Sequence, residues 1–323
     1  MNNRWIEVFA PATVANVGPG YDVLGLALSE PGDRVRARLI GSSGVILRTP
    51  ESDGGDGKSQ QANLPPGGEK NTAYVAAKET LLQLGADWGV ELQLIKGLPL
   101  GSGLGSSGAS AAAAAKAVNC LQQDMGGAIL DDEALVRIAA KAEATACGSA
   151  HADNVAPALM GGIVLVRPEG QVIRIKTKLS LFLAMVLPEF ELPTRKAREA
   201  IPAEVPLGEA ISNGANLATL VYGLAQNDVG LIASGLNDRI AEPRRAPLIP
   251  GFGRVKEAAL RAGALGASIS GAGPSIFALC SAQDVAEEAR MAMSRALEDE
   301  AFSHRSWVSP LAAAGARRLQ KTD

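Results

Sequence analysis

The stretch that most constrains this chain is residues 99–110, PLGSGLGSSGAS, which runs straight into an alanine run from Ala111 to Ala115. Gly101, Gly103 and Gly105 at alternate positions free the backbone from the Cβ limits on φ, so successive N–H groups can turn toward one point. Ser106 and Ser107 stand where N-cap residues belong, and alanine has the highest intrinsic helix propensity. A helix N-terminus leaves N–H groups unpaired and carries about half a positive charge. A glycine loop that delivers such a terminus predicts a phosphate site. The competing reading is a turn that only lets a buried helix pack closely.

The kind of loop can be narrowed. Gly103 to Gly108 spells G-x-G-x-x-G. A dinucleotide fold, however, needs a second parallel strand after the helix, ending in an acid for the ribose. Here Asp124, Met125, Gly126 and Gly127 lead into another helical pattern instead. A P-loop needs Gly-Lys-Ser/Thr, and no lysine follows Gly105 before Lys116. The H-R-D and D-F-G strings of protein kinases do not occur.

With 323 residues and 47% apolar composition, the chain can bury a sizeable core, and its length suits two compact domains. Alternating strand and helix patterns with a hairpin predict an α+β sandwich, with domains expected at residues 1–170 and 171–323. The net charge of −3 gives no pull toward nucleic acid or an anionic membrane. No run approaches the ~18 apolar residues of a membrane span, and the N-terminal residues lack a leader pattern. The expectation is a soluble, cytoplasmic protein acting on a small molecule, with a homodimer allowed. Cys120, Cys147 and Cys280 lack C-x-x-C spacing and read as reduced thiols. His151 and His304 are the only histidines, which excludes a multi-histidine metal centre.

Along the chain, residues 4–9 alternate as a strand that stops at Pro11. Asn16 and Asp22 then stand isolated among glycines, the usual composition of turns. Residues 33–48 alternate around a Gly-Ser turn and read as a hairpin or strand pair; residues 51–70 read as a long exposed loop. Asn71 caps a helix reaching about Leu84, and a strand from Val90 to Ile95 feeds the glycine loop. Asp131 or Asp132 caps a further helix stopped by Gly148, with Glu143 in its last turns. An acid there opposes the helix dipole, so it faces solvent, the default, or binds a cation.

His151, Asp153 and Asn154 fall in a loop before the strand Ile163 to Val166. A second unit begins near residue 180 with a buried strand, followed by Thr194 and Arg198 in LPTRKAREAIP. Arg244 and Arg245 lie in a proline-rich loop, where basic side chains are usually solvated. Residues 263–280 read as strand, glycine loop and strand, followed by an amphipathic helix from Gln283 to Glu300 and a last strand at 306–308.

Three segments in this order, APATVANVGPGYDVLG, PLGSGLGSS and SISGAGPSIFAL, resemble the three motifs of the GHMP small-molecule kinases. That superfamily includes galactokinase, homoserine kinase, mevalonate kinase and phosphomevalonate kinase. HADNVAP, PTRKAR, EPRRAPLIPGF and the late GAR are similar to the homoserine kinase branch. The resemblance implies an α+β, two-domain fold, ribosomal S5-like at the N-terminal side and ferredoxin-like at the C-terminal side, with the site between them. It implies ATP and Mg²⁺, with homoserine as the small-molecule substrate.

The same resemblance assigns Pro99, Leu100, Gly101, Ser102, Gly103, Leu104, Gly105, Ser106 and Ser107 to the ATP phosphates, and Asn71 to the adenine. It gives Mg²⁺ to Ser107 and Glu143. Asn16, Asp22, His151, Asp153 and Asn154 are assigned to the amino-acid pocket, and Thr194, Arg198 and Arg245 to the substrate carboxylate. The catalytic group is then Asn16, Asn154, Glu143 and Ser107. An amide at position 154 cannot take a proton, so direct attack by the substrate hydroxyl is expected. Gly108 departs from the family's usual GSSA, at a cost of about 1 kcal/mol in helix propensity. The alternatives are a mevalonate-like acceptor, a dinucleotide oxidoreductase and a non-catalytic sensor.

Overall fold

The computed structural model describes residues 4–48, 68–148, 150–300 and 302–320. Most of the loop expected over 51–70 lies outside the described residues, as does the Cys147 side chain.

The chain opens with β1 (Ile6–Ala15), β2 (Leu24–Ile40) and β3 (Gly44–Arg48), then α1 (Thr72–Leu84) and β4 (Gly89–Ile95). Three helices follow, α2 (Ser106–Asp124), α3 (Asp132–Cys147) and α4 (Ala152–Met160), and then β5 (Ile163–Val166) and β6 (Val172–Ile175). The later part comprises β7 (Phe182–Pro188), α5 (Thr194–Glu199), α6 (Leu207–Gln226), α7 (Val229–Gly235), α8 (Ala241–Arg245) and α9 (Phe252–Arg261). It ends with β8 (Gly266–Ile269), β9 (Ile276–Cys280), α10 (Gln283–Glu298), β10 (His304–Pro310) and β11 (Arg317–Arg318).

One sheet runs β11-β1-β2-β4-β3, with β5 beside β2 and β6 beside β5. The other runs β10-β7-β9-β8 and is antiparallel throughout, the strand order of a ferredoxin-like unit. Strand β11 crosses back to the first sheet, where Arg317 and Arg318 pair with Phe9 and Val8.

Helix α2 is buried on nearly every side, from Gly108 through Ala115 and on to Leu121 with one half-buried interruption at Lys116. It lies against β1 and β2 and also meets α1, α3 and α4. Only small side chains let that many neighbours approach one helix, which is why the segment is almost pure alanine. The Asn71 cap is present: its Oδ1 accepts the Ala73 N–H at 3.0 Å, and Gly85, at φ +61°, ends α1.

Several local expectations give way to long-range effects. Strand β1 does not stop at Pro11 but continues to Ala15, because the register shifts between Pro11 and Thr13 and the missing N–H falls at that irregularity. Residues 33–48 do not form a hairpin: β4 inserts between β2 and β3, pairing antiparallel with the first and parallel with the second. Val90, Leu92 and Leu94 of β4 are buried, whereas β3 alternates between exposed and half-buried, so the more apolar strand takes the interior slot.

His151, Asp153 and Asn154 do not lie in a loop. His151 is the N-cap of α4, and the other two are in its first turn, with Pro157 inside the helix. Nor are Arg244 and Arg245 in a solvated loop. They end the short helix α8, where Arg245 is 3% exposed and Arg244 pairs with Glu209 at 2.7 Å.

Candidate active site

The three glycine-rich segments meet. Thr13 N–H donates to the Leu104 carbonyl at 3.1 Å, and Gly271 N–H donates to the Ala15 carbonyl at 3.1 Å. Ser270 Oγ donates to the Gly103 carbonyl at 2.7 Å. The loop between β8 and β9 thus fastens both the turn after β1 and the loop before α2. Gly103 adopts φ +77°, and a Cβ there would come within 2.4 Å of the Ser270 carbonyl oxygen, so only glycine fits.

The N-cap of α2 is Gly105 at φ +66°, not Ser106 or Ser107, and no side chain caps it. The serines face other partners. Ser106 Oγ points inward to the Leu98 carbonyl, and Ser107 Oγ donates to Glu143 Oε1 at 2.5 Å. The first-turn N–H groups of α2 are therefore left for an anion, which is what a phosphate cradle requires.

Glu143 is 1% exposed, so the solvent-facing default fails. Its Oε2 accepts the His151 backbone N–H at 3.1 Å and lies 3.6 Å from the ring Nδ1. Proximity to this carboxylate raises the His151 pKa, against the opposing effect of burial. Among the described residues no group of three or more His, Cys, Asp or Glu side chains could hold a metal. A single buried carboxylate beside a hydroxyl at a phosphate cradle instead fits Mg²⁺, which takes one or two protein oxygens and completes its shell with phosphate and water.

Across the cleft, Asn16 and Asp22 do sit in turn conformations, at φ +64° and +55°. Asn16 Oδ1 accepts the Asp22 N–H at 2.9 Å, and its Nδ2 donates to the Gly271 carbonyl at 2.9 Å. Arg198 forms a two-pronged ion pair with Asp22. Arg245 donates to the Ala197 carbonyl at 3.0 Å and to the Gly271 carbonyl at 2.8 Å. Burial lowers the Arg245 pKa. Burial and the facing Asp22 carboxylate push Asp153 up to about 7.

One cavity of about 560 Å³ collects nearly all of the expected residues: Asn16, Asp22, Leu100, Gly101, Gly103, Gly105, Ser106, Ser107, Glu143, His151, Asp153, Asn154, Thr194, Arg198 and Arg245. Pro99, Ser102, Leu104 and Asn71 do not line it. Ser102 Oγ donates to the Pro99 carbonyl at 2.8 Å within the loop, Leu104 is core, and the Asn71 side chain caps α1.

Sequence reasoning missed two contributors. Thr13 Oγ1 donates to Asn154 Oδ1 at 2.7 Å, which turns the amide N–H₂ away from Thr13. The Tyr21 ring lies 5.1 Å from the Arg245 guanidinium and 5.8 Å from that of Arg198, a cation–π contact to both. Tyr21 sits in the GPGYD turn beside Asp22, the one local signal that could have drawn attention to it.

The chain matches the GHMP kinases N terminal domain over residues 71–162 and the GHMP kinases C terminal region over residues 220–299. It is 43% identical over 333 aligned positions to the homoserine kinase of Chlorobaculum tepidum, covering 99% of each chain.

The chain belongs to the GHMP kinase family.

The homoserine kinase of Chlorobium phaeovibrioides is 42% identical, with 97% of this chain and 99% of that one aligned. A crystal structure of homoserine kinase from Cytophaga hutchinsonii superposes with a TM-score of 0.90 at 42% identity, covering 99% of this chain and 98% of that one. The expected two-domain α+β GHMP kinase fold is therefore the observed one, and ATP with Mg²⁺ are the cofactors of the family. The G-x-G-x-x-G string does not mark a dinucleotide fold: α2 is followed by α3 and α4, with no parallel strand directly after it.

Proposed function

We propose that this GHMP kinase transfers the γ-phosphoryl group of ATP to the side-chain hydroxyl of L-homoserine, giving O-phospho-L-homoserine. The observation that carries this reading is a single cavity with an uncapped helix N-terminus and buried Glu143 on one side, and a carboxylate and two guanidiniums on the other. An α-amino acid presents an ammonium and a carboxylate, and Asp22 with Arg198 and Arg245 offers the complementary charges.

In this reading the N–H groups of the loop and of the first turn of α2 bind the phosphates, and Ser107 with Glu143 hold Mg²⁺. The metal, when bound, neutralises charge on the phosphate oxygens. Asn16 holds the Asp22 turn through its amide oxygen, and Asn154 offers amide hydrogens, which can position an oxygen but cannot remove its proton. The hydroxyl oxygen therefore attacks the γ-phosphorus directly as the bond from that phosphorus to the β-phosphate oxygen breaks and ADP leaves, the hydroxyl proton passing to a phosphoryl oxygen.

A two-domain division puts the loop and Glu143 in the first part and Thr194, Arg198 and Arg245 in the second. Against the boundary expected between residues 170 and 171, β6 (Val172–Ile175) and β11 (Arg317–Arg318) pair within the first sheet, so we propose that the first domain takes in both strands. A homodimer is supported by Leu207, Ile211 and Tyr222, which are 75%, 63% and 60% exposed on one face of α6. Sedimentation in solution tests it. No helix among the described residues is long and apolar enough to cross a membrane. A cytoplasmic location completes the proposal and is tested by fractionation.

The deciding assay measures Mg-ATP turnover against homoserine, serine, threonine, mevalonate and galactose. Homoserine is expected to be the preferred acceptor. Turnover confined to mevalonate or galactose would overturn the reading.

A further inference from the structure

Beneath the phosphate loop lies an ion pair that the reaction above does not use. The side chains of Lys96, directly after β4, and Asp33, in β2, are 2% and 0% exposed, and Lys96 Nζ donates to Asp33 Oδ2. The other partners of the ammonium all belong to the start of α2: the Ser106 carbonyl at 3.1 Å, Ser106 Oγ at 2.6 Å and Ser110 Oγ at 3.0 Å. Asp33 grips both sides of the loop. Its Oδ1 accepts the N–H groups of Gly97 and Leu98 at 3.0 and 3.1 Å, and its Oδ2 accepts Ser110 Oγ at 2.6 Å.

Taking two charges out of water is costly, and apolar replacements of such pairs are often neutral or stabilising. Stability alone therefore does not account for this pair. Its geometry does. The chain leaves β4 at Gly97 and Leu98 and enters α2 at Ser106, and the pair bonds those two points to each other and to β2. Lys96 does not line the cavity, so it does not act on the reacting atoms.

We propose that Lys96, seated on Asp33, is the positioning residue of the phosphate loop: it locks the first turn of α2 against the end of β4, so that the intervening loop is held closed before nucleotide arrives. Donors fixed in advance need no reorganisation when charge is delivered to them. The ammonium is neutralised by Asp33 at the spot, so it works through placement of Ser106 rather than through its field. This inference rests on the loop being the ATP site.

The test is an Asp33→Asn/Lys96→Met double variant, which removes both charges together while an amide oxygen can still accept from Gly97 and Leu98. A Ser110→Ala variant, which leaves the ion pair intact, accompanies it. Affinity for a non-hydrolysable ATP analogue is measured by calorimetry, alongside the KM of each substrate.

In the double variant, ATP affinity is expected to fall about tenfold or more, while the KM for homoserine stays within about twofold. Ser110→Ala is expected to weaken ATP about threefold with the same asymmetry. A folded double variant with native ATP affinity, or with equal changes in both substrates, overturns the proposal. If the double variant does not fold, an unchanged ATP affinity in Ser110→Ala overturns it instead. A wild-type enzyme that fails to use ATP would sink the reading of the loop, whereas native ATP use with indifferent variants sinks the brace alone.

Discussion

Arg198 and Asp22 hold each other through two parallel contacts, Nη1 to Oδ2 and Nη2 to Oδ1, each of 3.1 Å, across 176 positions of sequence. Both are partly exposed at the cavity, so the pair is accessible to a ligand. An α-amino acid brings one charge for each member, and its binding replaces one ion pair by two.

Arg198→Ala and Arg245→Ala are therefore expected to raise the KM for homoserine by about 10- to 100-fold, with the KM for ATP within about twofold. An acceptor carrying the carboxylate without the ammonium, 4-hydroxybutanoate, leaves Asp22 without a new partner. Its kcat/KM should be at least about 100-fold lower than that of homoserine. Steady-state kinetics check both, and parallel changes for ATP and the amino acid would count against the pocket assignment.

The buried carboxylate of Glu143 has a different dependence. Glu143→Gln keeps the shape and removes the charge, so kcat is expected to fall by about 100-fold or more and half-maximal activity to require more Mg²⁺. The measurement is a Mg²⁺ titration at saturating substrates. A native midpoint would remove Glu143 from the metal.

Asp153 makes folding depend on pH. Its carboxyl is pushed up to about 7 by burial and by Asp22, whereas an unfolded chain titrates near 3.9. Between about pH 4 and 7 the folded state keeps a proton that the unfolded state has lost. This contribution is fully present below the unfolded value and declines as pH rises through 7. In denaturant titrations of the ligand-free protein, Asp153→Asn should match the native protein near pH 4. It should then gain on the native protein with rising pH, by at most roughly 4 kcal/mol at pH 8. A gap that stays constant with pH would contradict the assignment.

The two glycine positions of the loop and helix should respond oppositely. Gly103→Ala forces a left-handed residue to carry a Cβ against the Ser270 carbonyl, so loss of ATP binding and about 2–3 kcal/mol of stability are expected. At Gly108 a Cβ meets Asn154, Val155 and Glu143 at 3.4, 3.5 and 3.6 Å, ordinary contact distances inside a helix. Gly108→Ala should raise stability by about 0.5–1 kcal/mol with activity retained. Thermal unfolding and turnover of both variants decide.

What could be read in advance was local. The Asn71 cap, the end of its helix near Leu84 and the glycine loop each depend on a few neighbouring residues, and each is where the pattern placed it. Asn16 and Asp22 are left-handed turn residues, as the plain reading had it, and both also line the cavity, where the functional reading would place them. What escaped depends on competition between distant segments. Nothing within residues 33–48 says that β4 will take the place beside β2. The Arg245 sequence context is that of a solvated loop, and its burial comes from the Ala197 and Gly271 carbonyls brought over it by other elements. HADNVAP reads as a loop from its short polar side chains, yet a helix forms there with Pro157 inside it. Asp33 and Lys96, 63 positions apart, gave one faint signal, a charge at the end of an apolar strand pattern.

The pairing of β11 with β1 bears on how the molecule is made. Strands β1 to β6 can associate while the nascent chain is still short, but the β1 edge of that sheet stays open until residue 318 has cleared the ribosome. An open strand edge is a template for unwanted pairing with other chains. Translation that halts shortly before Arg317 would therefore release a polypeptide with every cavity residue named above already synthesised, and with an unsealed edge on the sheet that carries the phosphate loop.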